Sequence, residues 1–159
     1  MTDVTAIQFA AYGGPDVLSA NRIAAPQPAT GEVVIDVHAA SMNPIDWKVR
    51  AGLMEKYFPV TFPMTSGRDG AGVISAVGDG VDAGRIGERV CFLVSRGVGS
   101  WAEQIALPAA VPRRVADRAT IDGRRERVRG VLDDRQPELC RDRIDGRHVA
   151  GVPGVVHRQ

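Results

Sequence analysis

The stretch "EVVIDVHAASMNPIDWKVRAG", residues 32–52, contains the clearest strand pattern in the chain and the turn that follows it. Val33, Ile35 and Val37 form one face of its first half at a period of two, which predicts a β-strand. The alternation stops before Asn43-Pro44, a dipeptide that favours a turn. The pattern therefore predicts a buried strand that ends where several polar side chains begin.

Three of these polar residues follow the strand closely, and they are Asn43, Asp46 and Lys48. One interpretation is structural, because Asn before Pro suits a turn or a helix cap and the other two residues could be solvated. The other interpretation is the floor of an active site, where amide, carboxylate and ammonium groups bind and orient a substrate. The residues alone leave both interpretations open.

Further strand patterns occur on both sides of this stretch, separated by turns rich in Gly and Pro. The predicted strands cover residues 4–12, 17–23, 71–81 and 87–94, and residues 99–108 form a further strand or a short helix. About six short strands and at most one clear helix predict a mainly β, barrel-like domain.

The composition divides the 159 residues into two parts. Residues 1–110 carry eight Lys and Arg against eleven Asp and Glu, and they contain all eight aromatic residues. Residues 111–159 carry twelve Arg, no Lys, eight Asp and Glu and no aromatic residue. We therefore expect a folded domain over 1–110 and a different segment over 111–159, although the net charge of the whole chain is only +1.

Three interpretations of residues 111–159 stay open. The segment is a solvated, irregular or disordered tail, or a basic arm for nucleic acid, or an out-of-frame translation of GC-rich DNA that was never selected to fold. Interspersed acidic residues and the lack of aromatic residues for base stacking disfavour nucleic acid.

Other site types fit the sequence poorly. Gly78–Ala83 and Gly97–Ala102 match G-x-G-x-x-A, but Gly84, Gly87 and Pro108 would interrupt the helix that a pyrophosphate site needs, so both read as turns. The histidines and cysteines have no metal-ligand spacing, and they are His38, His148, His157, Cys91 and Cys140. The sequence has no recognisable leader or membrane span, which predicts a cytoplasmic protein.

The order of the segments resembles the N-terminal, GroES-like half of the medium-chain dehydrogenases/reductases, and in particular their zinc-free quinone oxidoreductase branch. The similarity covers residues 5 to about 110. It is carried by "YGGPDVL", "NPIDWKVRAG", "GRDGAGVISAVGDGV", "GERV" and "WAEQIALP", which occur in the family's order. The resemblance implies a mainly β (α+β) fold, a GroES-like partly open β-barrel, and no Rossmann domain within this chain.

The resemblance also implies roles for single residues. The turn with Asn43, Asp46 and Lys48 would form one wall of the catalytic cleft, where Asn43 or Lys48 donates to a developing oxyanion and Asp46 orients them. Zinc-dependent relatives have a ligand cysteine in place of Asn43, a ligand histidine in place of Arg68 and an acidic residue in place of Asp69. An amide and a guanidinium do not replace thiolate and imidazole on zinc, so no metal is expected.

The function implied is that of a truncated NADPH-dependent oxidoreductase of the quinone reductase type. Complete relatives would transfer hydride from NADPH to quinones or to activated alkenes or carbonyls. This chain alone would bind no NADPH and be inactive, with no residues assigned to the cofactor. The alternative is a non-catalytic binding or interaction module on a GroES-like scaffold. Expected partners are a small quinone or enone substrate and a further copy in a homo-oligomer, with no membrane and no nucleic acid.

Overall fold

A computed structural model describes residues 2–94 and 97–115. Its strands are β1 (Asp3–Phe9), β2 (Leu18–Ala24), β3 (Glu32–Ala40), β4 (Met64–Thr65), β5 (Asp69–Val77), β6 (Arg89–Leu93), β7 (Gln104–Pro108) and β8 (Arg113–Arg114). One α-helix, α1 (Pro44–Arg50), follows β3, and short 3-10 turns occupy Pro15–Val17 and Ala83–Arg85. The predicted strands are all present, and residues 99–108 contain a strand rather than a helix.

The strands form two sheets, and every strand pairing is antiparallel. The smaller sheet has the order β2-β1-β4, and the larger has the order β7-β3-β5-β6-β8. A single bridge between Ala6 and Ala102 links the two sheets. Within the described residues the strands do not close into a barrel, which confirms the mainly β, partly open architecture.

Strand β3 occupies the centre of the larger sheet, between β5 and β7. Val33 and Ile35 are fully buried, as the alternation predicts, but Val34 is buried too. Register shifts between Val34 and Ile35, and again between Val37 and Ala39, interrupt the simple alternation. A β-bulge bends a strand and redirects its side chains, so β3 curves as it approaches Asn43.

The core lies on the inner face of the larger sheet and is entirely apolar. Its buried members come from four strands and the residue after β6, and they are Val33, Ile35, Ile74, Val90, Phe92, Val94, Ile105 and Leu107. Burial of such side chains stabilises the fold by roughly 1.5–3 kcal/mol each. This core holds the strand ends that carry the polar residues described below.

Both glycine-rich stretches are turns. After β5, residues 78–82 form a loop that leads into the three-residue 3-10 turn and then into β6. Residues 97–102 lead into β7 without a helix. Neither stretch therefore places glycine backbone at the start of a helix, which is the geometry that a pyrophosphate requires.

The packed structure continues beyond Ala110. Arg113 and Arg114 of β8 pair with Cys91 and Val90 of β6, and Val115 is buried. The folded region thus extends through at least Val115, five residues past the boundary that composition suggested. The interpretations of the Arg-rich segment, with His148, His157 and Cys140, fall on residues outside the described ones.

Candidate functional site

The turn between β3 and α1 forms the centre of the candidate site. Asn43 has an extended backbone (φ −113°, ψ 156°) and caps α1, and Pro44 occupies the first helical position, where its missing N–H costs nothing. The backbone N–H of Asn43 donates to Asp46 Oδ2 over 2.6 Å. This is a capping box, in which the third helical residue reaches back to the cap.

The side chain of Asn43 is held by its neighbours. Its Nδ2 donates to Asp69 Oδ1 over 2.7 Å and to Ser41 Oγ over 3.2 Å, and Ser41 Oγ donates to the same Asp69 oxygen over 2.6 Å. An ionised carboxylate only accepts hydrogen bonds, so the amide nitrogen must face Asp69. Both N–H hydrogens of Asn43 are then occupied, and they are not free to bind a further oxygen.

Residues 66–67 and 100–101 close this cluster on another side. Trp101 Nε1 donates to the backbone oxygen of Ser41 over 3.0 Å, and the backbones of residues 66–67 and 100–101 pair with each other. Gly67 has φ +91°, and a Cβ there would overlap Trp101 and Ser100. Only glycine fits this position, because it combines left-handed backbone with a close approach of two side chains.

Asp46 is the most perturbed acid of the site. It is only 8% exposed, and its Oδ1 is buried without a hydrogen-bond partner. Burial raises the pKa of the Asp46 carboxyl to about 6, and the negative charge of Asp69 adds to this effect. The hydrogen bond from the Asn43 backbone and the charge of Arg68 lower the same pKa, but burial outweighs them.

Arg68 lies beside Asp46 and directly precedes β5. Its guanidinium carbon is 5.6 Å from the centroid of the Phe58 ring, a cation–π contact. Its Nε is buried without a hydrogen-bond partner. Arg68 and Asp46 line one cavity of about 20 Å³, which Phe58 and Val49 help to enclose.

Lys48 is separated from this group. Its Nζ lies 5.8 Å from the ring centroid of Trp47, which is itself exposed. In the first turn of α1 only Asp46 is turned into the protein, whereas Trp47 faces outward. Helical geometry thus parts residues that are close in the sequence, since neighbours along a helix point in different directions.

The resemblance equates Asn43, Arg68 and Asp69 with zinc-site positions of zinc-dependent relatives, and two of these residues, Asn43 and Asp69, are hydrogen-bonded to each other here. Asn43 Nδ2 donates to Asp69, and Arg68 supplies a positive charge. No cluster of three or more His, Cys, Asp or Glu side chains suited to a metal occurs in residues 2–94 and 97–115. An amide nitrogen and a guanidinium are not zinc ligands, so these residues do not fit the metal.

Of the three residues predicted for the site, the structure brings two together, Asn43 and Asp46, and places the half-buried Lys48 beside Trp47. Sequence reasoning missed Ser41, Trp101 and the position of Arg68 beside Asp46. The only available signal was "GRDGAG" after a predicted loop, because it places a charged pair directly before a strand. Which of these residues act in catalysis stays a prediction.

Comparison with known proteins identifies the protein family of this chain. The profile of the alcohol dehydrogenase GroES-like domain matches residues 29–116. This range holds more than half of the chain and includes the cluster around Asn43 and all of β8. The chain therefore belongs to the alcohol dehydrogenase GroES-like domain family.

Curated relatives narrow the similarity to quinone oxidoreductases of the medium-chain superfamily. The chain is 39% identical over 99 residues to the quinone oxidoreductase of Rattus norvegicus, covering 62% of this chain and 29% of that protein. It is 34% identical over 103 residues to the chloroplastic quinone-oxidoreductase homolog of Spinacia oleracea, covering 64% and 31%. The chain thus spans about three tenths of the length of these relatives.

Solved structures give the same result. The quinone oxidoreductase of Escherichia coli complexed with NADPH matches with a TM-score of 0.67 at 30% identity, covering 74% of this chain and 35% of that chain. The human synaptic vesicle membrane protein VAT-1 homolog-like protein matches with a TM-score of 0.69 at 32% identity, covering 76% and 38%. These likenesses confirm the GroES-like fold. No helix in the described part of the chain has the length and apolar character needed to cross a membrane.

Proposed function

We propose that this chain supplies the substrate-side domain of an NADPH-dependent, zinc-free oxidoreductase of the quinone reductase type. Hydride from NADPH would reduce a quinone or an activated alkene or carbonyl. The single observation that carries the proposal is the position of Asp46 and Arg68, which lie together in one cavity beside the Asn43 turn. The similarity to quinone oxidoreductases supports the choice of substrate class.

The proposed cleft wall consists of Asn43, Asp46 and Lys48, with different parts for each. Asn43 holds the turn in place through Asp69 and Ser41, so we assign it a positioning role. Asp46 keeps a free buried oxygen and a pKa near 6, which suits a group that exchanges a proton near neutral pH. Lys48 would act as a cation at the edge of the cleft. Of the three residues it is the weakest candidate for a catalytic role, because its Nζ lies over the ring of Trp47.

We propose NADPH as a cofactor of the complete enzyme only, and not as a ligand of this domain. In the described residues the one α-helix has seven residues and begins at a proline after an asparagine cap, and both glycine-rich stretches are turns. These residues do not fit a pyrophosphate, and we derive no step through NADPH from them. The 159-residue chain by itself is accordingly expected to bind no NADPH and to be inactive.

Exposed apolar side chains between residues 42 and 62 support a partner for this domain. They are all large, and they are Met42, Trp47, Leu53, Tyr57 and Phe62. Exposed apolar surface favours association, either with a cofactor-binding domain or between copies. A homo-oligomer and a cytoplasmic location are parts of the same proposal. The alternative of a non-catalytic interaction module would use this surface without any chemistry.

A domain exchange tests the function. Residues 1–115 would replace the matching part of the Escherichia coli quinone oxidoreductase, and NADPH oxidation would be measured with quinones and enones. We expect turnover that survives dialysis against a chelator, and a loss of at least tenfold with Asp46→Leu. Arg22→Met changes an exposed residue that does not line the cavity of Asp46 and Arg68, so it is the matched control and should leave turnover unchanged.

The outcomes separate the candidates. A chimera that folds and binds NADPH like its parent but reduces neither quinones nor enones would refute the proposed activity and favour the interaction module. Turnover that requires added zinc would refute the zinc-free assignment. Activity of the 159-residue chain alone would show that one of the glycine-rich turns binds nucleotide, and Gly80→Val and Gly99→Val would identify which.

A further inference from the structure

Arg68 is a half-buried cation that has no partner for its charge. Within residues 2–94 and 97–115 its guanidinium forms no hydrogen bond and no ion pair, and its guanidinium carbon lies 5.6 Å from the centroid of the Phe58 ring. Arg50, by contrast, donates from Nε to the backbone oxygen of Gly13 over 3.4 Å. A guanidinium has five N–H donors, and partly buried donors are costly without an acceptor. Arg68 therefore has donors available for an acceptor from outside the described residues.

The surroundings of Arg68 form a small cavity of about 20 Å³. Arg68 is the one cationic side chain among the described residues that line it, and Asp46 is the one acidic side chain. Two other lining residues, Pro59 and Gly97, are exposed, so the cavity borders solvent. Most of the remaining lining is apolar, and it includes Phe9, Val49, Phe58, Val60 and Met64. A cation against apolar walls is a setting in which charged hydrogen bonds are strong.

Two acids lie near this cation, and their charges oppose the binding of an anion. Burial raises the pKa of the Asp46 carboxyl to about 6, so near pH 6 this carboxyl is neutral about half of the time. Asp69 accepts hydrogen bonds from Asn43 Nδ2 and Ser41 Oγ, which offset part of its charge. Neither acid forms an ion pair with Arg68. The positive charge of Arg68 is thus only partly compensated within the site.

We propose that Arg68 binds an anionic oxygen on an aromatic ligand, the group that a reduced quinone carries before it is protonated. The choice of a quinone-derived ligand rests on the proposed function, whereas binding of the anion does not require turnover. The oxygen accepts a hydrogen bond from the guanidinium, and the aromatic ring stays at the apolar wall. Preorganised cationic donors are the groups that stabilise such an oxygen in enzymes.

The two donors that the sequence favoured for this role are less suitable. Both N–H hydrogens of Asn43 are occupied by Asp69 and Ser41, and Lys48 does not line the cavity. Size also limits the ligand, because about 10–15 Å³ holds one water molecule and hence one oxygen, but no ring. A singly charged oxygen suits the site better than a phosphate, whose second charge would be repelled by Asp46.

A pair of fluorinated ligands tests the proposal on the whole 159-residue chain. Pentafluorophenol is mostly ionised at pH 6, whereas pentafluoroaniline has nearly the same shape and is neutral. Titration followed by ¹⁹F NMR gives both affinities. We expect the phenolate to bind about tenfold more tightly, or more, which is the effect of one charged hydrogen bond.

Four variants assign the preference to its cause. In Arg68→Met the two ligands should bind equally, and Arg68→Lys, which keeps the charge, should retain part of the preference. Asp46→Asn removes the opposing charge and should increase the preference for the phenolate. Arg22→Met is the matched control and should leave it unchanged, because Arg22 is exposed and does not line the cavity.

The Arg68 Nε–H signal in a ¹⁵N spectrum of the wild type provides a measurement that needs no variant. It should shift with pentafluorophenolate and stay in place with pentafluoroaniline. The proposal is overturned by equal affinities in the wild type, by no saturable binding of the phenolate at millimolar concentration, by an unshifted Arg68 signal, or by a preference that survives Arg68→Met.

The same experiment separates this inference from the proposed function. A domain-exchange enzyme that reduces quinones, combined with no phenolate preference in the chain, would refute the role of Arg68 alone. A phenolate preference combined with an inactive domain-exchange enzyme would refute the proposed activity and leave the anion site in place.

Discussion

The inner face of the larger sheet and the Asn43 turn are both buried, but the buried side chains of the sheet are apolar and those around the turn are polar. In the sheet, every member of the core cluster is apolar, from Val33 on β3 to Leu107 on β7. Around the turn, four buried residues are polar, and they are Asn43, Asp46, Ser66 and Ser100. Burial of a polar group is costly unless it is hydrogen-bonded, whereas burial of an apolar group is favourable by itself. A protein retains such a costly region where the region has a use, and this contrast marks the turn as the candidate site.

The sheet should respond most strongly to lost volume. Ile35→Ala leaves a cavity at a fully buried position and should lower the free energy of unfolding by about 2–5 kcal/mol. Ile35→Val, the matched control, should lower it by only about 0.5–1.5 kcal/mol. Urea unfolding followed by circular dichroism measures both. Equal losses for the two variants would mean that the position is not packed.

The turn should respond most strongly to loss of the Asn43 amide. Asn43→Ala removes the donors to Asp69 and Ser41 and should lower the free energy of unfolding by about 1–3 kcal/mol. Asn43→Asp has almost the same shape, but it puts a second carboxylate against Asp69 and should cost more at pH 8 than at pH 4. Tolerance of Asn43→Asp at pH 8 would show that the amide does not hold this turn.

The two regions should also differ in their response to pH. The pKa of Asp46 is raised to about 6 in the folded protein, above its ordinary value of 3.8, so folding favours the protonated form. Its contribution to stability is complete below about pH 4 and is lost as the pH rises through about 6. The expected change is on the order of 1 kcal/mol, allowing for solvent screening.

Asp46→Asn should flatten that part of the pH profile, and Asp79→Asn, at an exposed turn residue, should leave it as in the wild type. Urea unfolding at several pH values between 4 and 8 provides the measurement. A slope that persists in Asp46→Asn would assign the pH dependence to another group.

Substitution of Lys48 should change the free energy of unfolding least, which would place Lys48 outside the buried polar cluster around Asn43. Its cation–π contact is with an exposed ring, so Lys48→Ala should change the free energy of unfolding by less than about 1 kcal/mol. Lys48→Arg keeps the charge and is the control. A fall in turnover of the domain-exchange enzyme with Lys48→Ala, but not with Lys48→Arg, would instead support a catalytic role for the charge.

Much of the fold was predictable because its signals are local. The period-two pattern at residues 33–37 predicts a strand whatever its partners are, and the turns after Val77 and before Gln104 follow from their glycines. The short strands β4 and β8 carry no such signal. They are two residues long and form only because β1 and β6 are already in place to pair with them.

For the candidate site, the sequence by itself predicted a buried strand that ends before Asn43, a turn or a helix cap at Asn43-Pro44, and residue types that do not suit zinc. Only the tertiary structure decided which side chains meet. It occupied both Asn43 donors with Ser41 and Asp69, turned Lys48 toward Trp47, and brought Arg68 to Asp46 from 22 residues along the chain. Strand and turn patterns depend on neighbours in sequence, whereas a buried carboxylate acquires its partners and its pKa from packing between distant segments.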